Sequence, residues 1–452
     1  MTQANTRAKA TTGRYSGGPV GVATVCVFYL VPAGSAAALD LDRIDGLITE
    51  TIAGRERSYD YDTSKQYGAE TVKGRVGTYS LADGVRAGNY LVYPSVGALV
   101  TFDDNIYRSD LNKRSDWRTE ITPELRFQSQ LPRHVLDFSL DGKIVNYLEN
   151  TEQDYANLRA RAAGALHFDH AHTLSASVLS AIEHEEVGEL TTAFTAANPI
   201  EVFHNRASVG ITRDVGRLYG TLMATFERWD YADVRAIGGD VLDQDPRDTN
   251  EFSTALKLGY RFSPGFELIA KMRAVRNMVR GEAGSDPDAK GYEVLAGLAF
   301  ETSPLLRWRL LAGHGYRDFD NPNFEDVSTA LLEAHVEWLA TQFITVTGAA
   351  SREIIAADTV EGAGRIETRL NGRLDYEIWH NTVLNVGVEL RDAEFVGVAR
   401  RDTTYSGRIG LDYYPNRNWV LSLGYEHSLR ESTEPAFEMP RNRFRVGAKF
   451  RY

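Results

Sequence analysis

Arg443-Phe444-Arg445-Val446-Gly447-Ala448-Lys449-Phe450-Arg451-Tyr452 ends the chain, and its period is two. Phe444, Val446, Ala448, Phe450 and Tyr452 fall on one face of an extended strand. Arg443, Arg445, Lys449 and Arg451 fall with Gly447 on the other. A helix would scatter both sets around its circumference, so the pattern predicts a strand with one apolar and one cationic face. In a soluble sandwich the apolar face meets a packed core, whereas in a transmembrane barrel it meets lipid and the polar face lines water. A strand in this position can also pair with the first strand and remove both sheet edges.

The same alternation runs through the chain from about residue 95. Thr119, Ile121, Pro123, Leu125 and Phe127 alternate with Arg118, Glu120, Thr122, Glu124, Arg126 and Gln128. Ile366, Thr368, Leu370, Gly372, Leu374 and Tyr376 alternate with Glu367, Arg369, Asn371, Arg373 and Asp375. Strand length and loop rhythm separate the two architectures. About eighteen strands can be drawn, most of 11 to 16 residues, with sixteen as the alternative count. Globular strands are usually about 5–6 residues long, and a tilted membrane strand needs about 9–11. Short connections (near Leu131-Pro132-Arg133, Ser263-Pro264-Gly265 and His380-Asn381) alternate with long ones (Asp103 to Asp116, Val187 to Asn198, Tyr231 to Arg247). The expected fold is therefore all-β: an antiparallel, up-and-down transmembrane β-barrel with short periplasmic turns and longer outer loops. Tyr413, Tyr414, Trp419, Trp379 and Trp338 flank short turns and suit an interfacial aromatic girdle.

Composition bounds the alternatives. The chain has 452 residues, 50 basic and 62 acidic, a net charge of −12, and one cysteine. That acid excess argues against a nucleic-acid partner. Mean hydropathy is −0.33. Such a value is compatible with a barrel, because each spanning strand averages apolar and polar positions. Residues 1–38 read as a secretory signal for Sec-dependent export. Arg7, Lys9 and Arg14 precede the apolar run Val20 to Val31, and Ala36-Ala37-Ala38 offers a cleavage site. Cys26 lies inside that run, so a chain cleaved after Ala38 has neither a disulfide nor a thiolate metal site. Residues 39–90 are charged, dotted with tyrosine and weakly periodic. They read as a periplasmic or lumenal extension, or alternatively as two extra strands. Residues 91–452 form the expected barrel.

One region goes beyond architecture. Asp83-Gly84-Val85-Arg86-Ala87-Gly88-Asn89-Tyr90-Leu91-Val92-Tyr93-Pro94-Ser95 leads to Phe102-Asp103-Asp104-Asn105-Ile106-Tyr107-Arg108. Ser115-Asp116-Trp117, Thr122-Pro123-Glu124-Leu125, Arg133-His134 and a strand ending in Tyr147 follow. This succession resembles the putative β-barrel porin 2 family of Gram-negative outer-membrane proteins. Members open with a glycine–arginine–proline lead, a Tyr-Asp-Asp-Asn box and a Pro-x-Leu strand. Phe102 stands where the box has tyrosine, and the match is sharpest over about residues 83–170. The resemblance implies an outer-membrane channel. Because members are often encoded beside exopolysaccharide synthesis and export genes, it also implies polysaccharide cargo and polysaccharide-export components as partners. Gly447, Phe450 and Tyr452 resemble the C-terminal signal read by the barrel-assembly machinery. Outer-membrane lipid and lipopolysaccharide are the expected surroundings.

The candidate functional residues are the inward charges. Arg118, Glu120, Glu124, Arg126, Arg159, Arg161, Arg206, Arg307, Arg309, Glu367, Arg369, Arg373, Asp375, Arg408, Glu426, Arg443, Arg445, Lys449 and Arg451 are expected to line the pore. Mixed charge rings tune permeation, and Arg–carboxylate pairs can also simply buttress the wall. The Asp103-Asp104-Asn105 box with Asp110 has oxygen ligands of the type calcium takes, but it reads more simply as an Asx-rich loop start. His184 within Glu183-His184-Glu185-Glu186, and the acids Asp240, Asp243, Asp245 and Asp248, invite the same comparison. No metal or cofactor is expected. The sequence contains no Gly-x-Ser-x-Gly elbow, His-Glu-x-x-His helix or P-loop, so no catalytic residue is assigned and the chain is not expected to be an enzyme. Two other readings stand beside the channel: a barrel plugged by residues 39–90 that serves assembly or adhesion, and an outer-membrane barrel enzyme.

Overall fold

The computed structural model describes residues 71–72, 84–110, 113–189, 196–280, 287–303, 305–356 and 363–452. The signal read at residues 1–38 and most of the extension at 39–90 lie outside the described residues. Eighteen long strands follow one another in sequence. The first six are β1 (Tyr90–Asp103), β2 (Asp116–Ser129), β3 (Val135–Tyr147), β4 (Tyr155–His167), β5 (His172–Glu185) and β6 (Ile200–Val215). Next come β7 (Leu218–Tyr231), β8 (Thr249–Ser263), β9 (Phe266–Val279), β10 (Ala289–Ser303), β11 (Leu306–Phe319) and β12 (Val327–Thr341). The last six are β13 (Ile344–Ala356), β14 (Gly364–Trp379), β15 (Thr382–Val396), β16 (Arg401–Asn416), β17 (Trp419–Ser432) and β18 (Met439–Arg451). Each pairs antiparallel with the next, and β18 returns to β1 in a continuous ladder from Ser95↔Arg451 to Asp103↔Arg443. The count is therefore eighteen, and the barrel is closed.

Eight turns of two to five residues join the strands at one end, and nine connections of four to seventeen residues join them at the other. Several turns have only two residues between strands. Gly216 (φ 63°) and Gly265 (φ 76°) supply the left-handed backbone there that a tight hairpin demands. The start of β1 and the end of β18 lie at the short-turn end, which is the periplasmic end in an up-and-down outer-membrane barrel. A three-residue arm, Val85–Ala87, folds back along Tyr90 to Val92. It is far too short to span, so the described part of the extension adds no transmembrane strand.

Even positions of β18 point out and odd positions point in. Phe444 and Val446 are exposed, while Arg441 and Arg443 are buried. The outward face is apolar all the way round: Val209, Leu222, Met272, Leu298, Leu310, Leu370, Val388, Ile409, Leu423 and Val446 are all exposed. A soluble monomer rarely leaves an apolar patch larger than a few hundred Å² uncovered, whereas a bilayer covers this one. Toward the short turns Trp308, Trp338, Trp379, Tyr413 and Trp419 form a lower aromatic ring. Toward the loops Trp117, Phe203, Phe252, Tyr292, Tyr405 and Phe444 form an upper one. Tyr414 departs from the girdle expectation. As an even residue of β16 it shares the inward parity of Arg408 and packs against Val383 and Val72.

The buried residues lie on the lumen side. On the β9–β12 wall Ile269, Leu295, Leu311 and Leu331 form an apolar pad. Within it Lys271 reaches Glu333 at 2.8 Å, although their strands are not neighbours. A charge placed on the lipid face has no such partner. Val446→Arg is expected to destabilise the folded barrel by about 2–4 kcal/mol. The measurement is the urea midpoint of the heat-modifiable folded band in lipid vesicles, and no change would contradict the outward assignment.

Candidate functional site: the charged lumen and its outer mouth

All nineteen charged residues singled out above occupy inward positions, but they do not form one open ring. Most are tied into ion pairs, some along one strand and some between strands. Glu124 of β2 meets Lys449 of β18 at 2.9 Å across the closing seam. Glu426 takes Arg443 and Arg445 (3.0 Å). Glu367 is shared by Arg365 (3.1 Å), Arg369 and Arg391 (3.5 Å). Arg373 pairs with Asp375 at 2.7 Å, and Arg206 with Glu227 at 2.9 Å. Arg307 lies between Glu337 (2.9 Å) and Glu301 (3.9 Å), and Arg159 pairs with Glu183. Arg118 meets Glu120 at 3.0 Å. Arg126, Arg161, Arg309, Arg408 and Arg451 take inward positions on β2, β4, β11, β16 and β18. In the C-terminal stretch, Gly447 faces Leu99 in the lumen while Phe450 packs outside on Trp419 at 5.2 Å. Tyr452 donates its N–H to the Pro94 carbonyl (3.0 Å).

The densest network sits at the outer mouth, around a residue that alternation alone does not select. Glu186 follows β5 directly and turns inward. Its Oε1 accepts from Arg118 Nη1 at 2.6 Å and from the Tyr155 hydroxyl at 2.8 Å; its Oε2 accepts from Arg108 Nη2 at 2.6 Å. Arg441 stands 3.8 Å away. Burial would raise the Glu186 carboxyl, but Arg118, Arg108 and Arg441 outweigh it and hold the pKa well below the usual carboxylate range. Burial likewise opposes the charge on Arg108, and Glu189 and Glu186 outweigh it and lift its pKa. Arg108 also holds a left-handed backbone (φ 51°), a conformation that costs a non-glycine residue energy and needs its surroundings to maintain it. Arg430 Nη2 donates to the carbonyl of Gly188 at 3.0 Å. The first and third outer loops are thus drawn into the mouth by guanidinium groups.

The Asp103-Asp104-Asn105 box is a latch on the barrel seam. Asp103 accepts both a 3.0 Å Nε contact and a terminal-nitrogen contact from buried Arg441. Asp104 accepts from the backbone and side-chain nitrogens of Asn442, each at 2.6 Å. Asn105 Nδ2 donates to the carbonyls of Pro440 (2.9 Å) and Ser109 (3.0 Å). Asp110 lies away from this set beside Lys113 (3.4 Å). The carboxylate that calcium would need is therefore already neutralised by an arginine. His184 shares a 2.9 Å hydrogen bond with Asn157 rather than gathering ligands. In the fourth loop Asp233, Asp243 and Asp245 converge, with ligand oxygens within 4.8 Å of one another. Asp248 instead accepts the Tyr231 N–H at 2.7 Å. Arg441 was legible, since it stands two residues before Arg443 on the same face. Glu186 and Arg108 lie in loops, where a period of two says nothing.

Comparison with known proteins bears on this geometry. The family described as Putative beta-barrel porin 2 matches residues 81–452, a span that holds every barrel strand and the latch. The chain belongs to that family. It is a porin-like β-barrel of the outer membrane. Among solved structures this porin is similar to OpdO (OccK3) of Pseudomonas aeruginosa, at 14% identity over 83% of this chain and 97% of that one, with a TM-score of 0.43. It is also similar to OpdK of Pseudomonas aeruginosa, solved with vanillate, at 12% identity over 80% and 98% with a TM-score of 0.43. The siderophore receptor PirA of Acinetobacter baumannii aligns at 6% identity over 80% of each chain, with a TM-score of 0.44. A search of curated proteins returns no match.

Two outcomes follow from the mouth of the porin. Asp103→Ala removes the close partner of buried Arg441 and leaves it only the 3.8 Å contact with Glu186, and it is expected to cost about 3–5 kcal/mol. The exposed Asp110→Ala should stay within about 0.5 kcal/mol. Urea unfolding in micelles distinguishes them, and equal effects would remove the latch. A depressed carboxylate pKa contributes stability that is present above its unfolded value and is lost as pH falls through the folded one. Wild-type thermal stability therefore holds from pH 7 to 5 and falls on further acidification. Glu186→Gln should be less stable at pH 7 and flatter with pH.

Proposed function

We propose that the barrel is a passive channel for polar solutes, with a polysaccharide as its cargo. The observation that carries this reading is the contrast between the two faces of one closed sheet. Lipid-facing positions are apolar, and positions of the opposite parity carry arginine, lysine and carboxylate. An eighteen-strand barrel is wide enough for an aqueous interior, so a polar solute inside it meets no hydrocarbon barrier. Inward charges orient water and sugar hydroxyls and filter what passes. Polysaccharide cargo rests on the family resemblance, and polysaccharide-export components are the partners it suggests. Residues 1–38 would direct Sec-dependent export. Gly447, Phe450 and Tyr452 would present the barrel to the assembly machinery, and outer-membrane lipid and lipopolysaccharide would surround it. Passage requires no chemistry, and the reading is of a non-enzyme.

One observation favours the plugged alternative. Val72, in the segment before the barrel, is buried against inward Val383 and Tyr414, and its N–H donates to Thr345 Oγ1 at 2.9 Å. These three partners lie near the short-turn end of their strands. Planar-bilayer conductance separates the readings. The channel reading predicts stepwise currents from the mature chain. The plugged reading predicts currents only after residues 39–83 are deleted. Silence from both proteins would remove the channel.

A further inference from the structure

A cavity of about 410 Å³ lies against the mouth network on the β14–β18 side. Pockets for small ligands span about 300–1,000 Å³, so one charged sugar unit is of a suitable scale. Its cations come from every strand of that wall: Arg365, Arg391 and Arg408 from β14, β15 and β16, and Arg430, Arg441 and Arg443 from β17 and β18. Four acids reach it. Glu185 holds Arg247 at 2.6 Å, Glu189 holds Arg108 at 2.9 Å, Glu426 holds Arg443 and Arg445, and Glu389 shares the lining with Arg391 and Arg408. With Arg108, seven arginines stand against these four carboxylates, an excess of guanidinium although the chain as a whole is acidic.

Two details describe the guanidinium groups of this wall. Arg391 lines the space, and its buried Nε makes no hydrogen bond, with the shared Glu367 carboxylate at 3.5 Å. Arg408 lies flat over Gly387, where any Cβ would collide with its guanidinium stem. Glycine at that position lets the arginine face the cavity. Thr404, Ser406 and Ser428 place hydroxyls on the same lining, with Ser406 and Ser428 bonded to each other at 3.1 Å. Forked guanidinium donors match carboxylates, and hydroxyls match the rest of a sugar ring.

We propose that this cavity is a binding station for an acidic sugar residue, so that the cargo is a carboxylate-bearing glycan. The inference rests on the channel reading for its meaning as cargo, but not for the binding itself. The test is calorimetric titration of the full mature protein in micelles with trigalacturonate, maltotriose and acetate. Trigalacturonate is expected to bind at least tenfold more tightly than either of the others. The double variant Arg391→Gln/Arg408→Gln should lose that preference while keeping its heat-modifiable folded band. Gly387→Val, which displaces Arg408 without deleting a charge, should weaken binding as well and covers the case in which the double variant fails to fold. Equal binding of maltotriose and trigalacturonate overturns the proposal, and so does acetate binding as tightly as the sugar acid. Acid-selective binding by a protein without bilayer conductance would support the station and count against the channel alone.

Discussion

Hydrocarbon offers a backbone no hydrogen-bonding partner, and this structure depends on that constraint more than on any other. Each spanning strand must find both of its neighbours, and the chain must return to its start. The ladder between β18 and β1 meets that demand, and its outer end is where the sheet would fray. There the Asp103–Arg441 pair and the Asp104–Asn442 and Asn105–Pro440 hydrogen bonds tie the first loop to the last strand. Residues 338 positions apart in sequence thus form one joint.

Closure of the wall puts charge in the interior, where each charge must be partnered or wet. Single carboxylates serve several cations here: Glu367 three, Glu426 two, and Glu186 a pair of close arginines with a third nearby. Removing one partner from such a group leaves a buried charge, which is costly. The network at the mouth therefore fixes the infolded loops as much as it polarises the passage. The apolar pad around Lys271 and Glu333 stiffens the opposite wall in the same way, with a paired charge held among leucines.

The fold was legible because its rule is local. Parity along a strand decides which side each residue takes, and the short-turn rhythm decides the strand count. Parity also explains Tyr414: it stands next to Tyr413 and so must face the other way. The joints were less legible because they depend on which strands meet. Nothing near Asp103 announces Arg441, and a run of Asp, Asp and Asn at a loop start looks the same whether it waits for calcium or for an arginine. Glu186 shows the limit most clearly. In sequence it is the last acid of a solvated-looking cluster, and in the fold it is the anchor of two loops.

The central claim is that the even residues of β18 face lipid and the odd residues face water. Single cysteines at 443 to 448, in a chain with Cys26 replaced by serine, can carry a small fluorophore in vesicles with brominated acyl chains. Quenching should alternate: strong at positions 444, 446 and 448, and weak at 443, 445 and 447. Uniform quenching, or none at the even positions, would contradict the barrel as described.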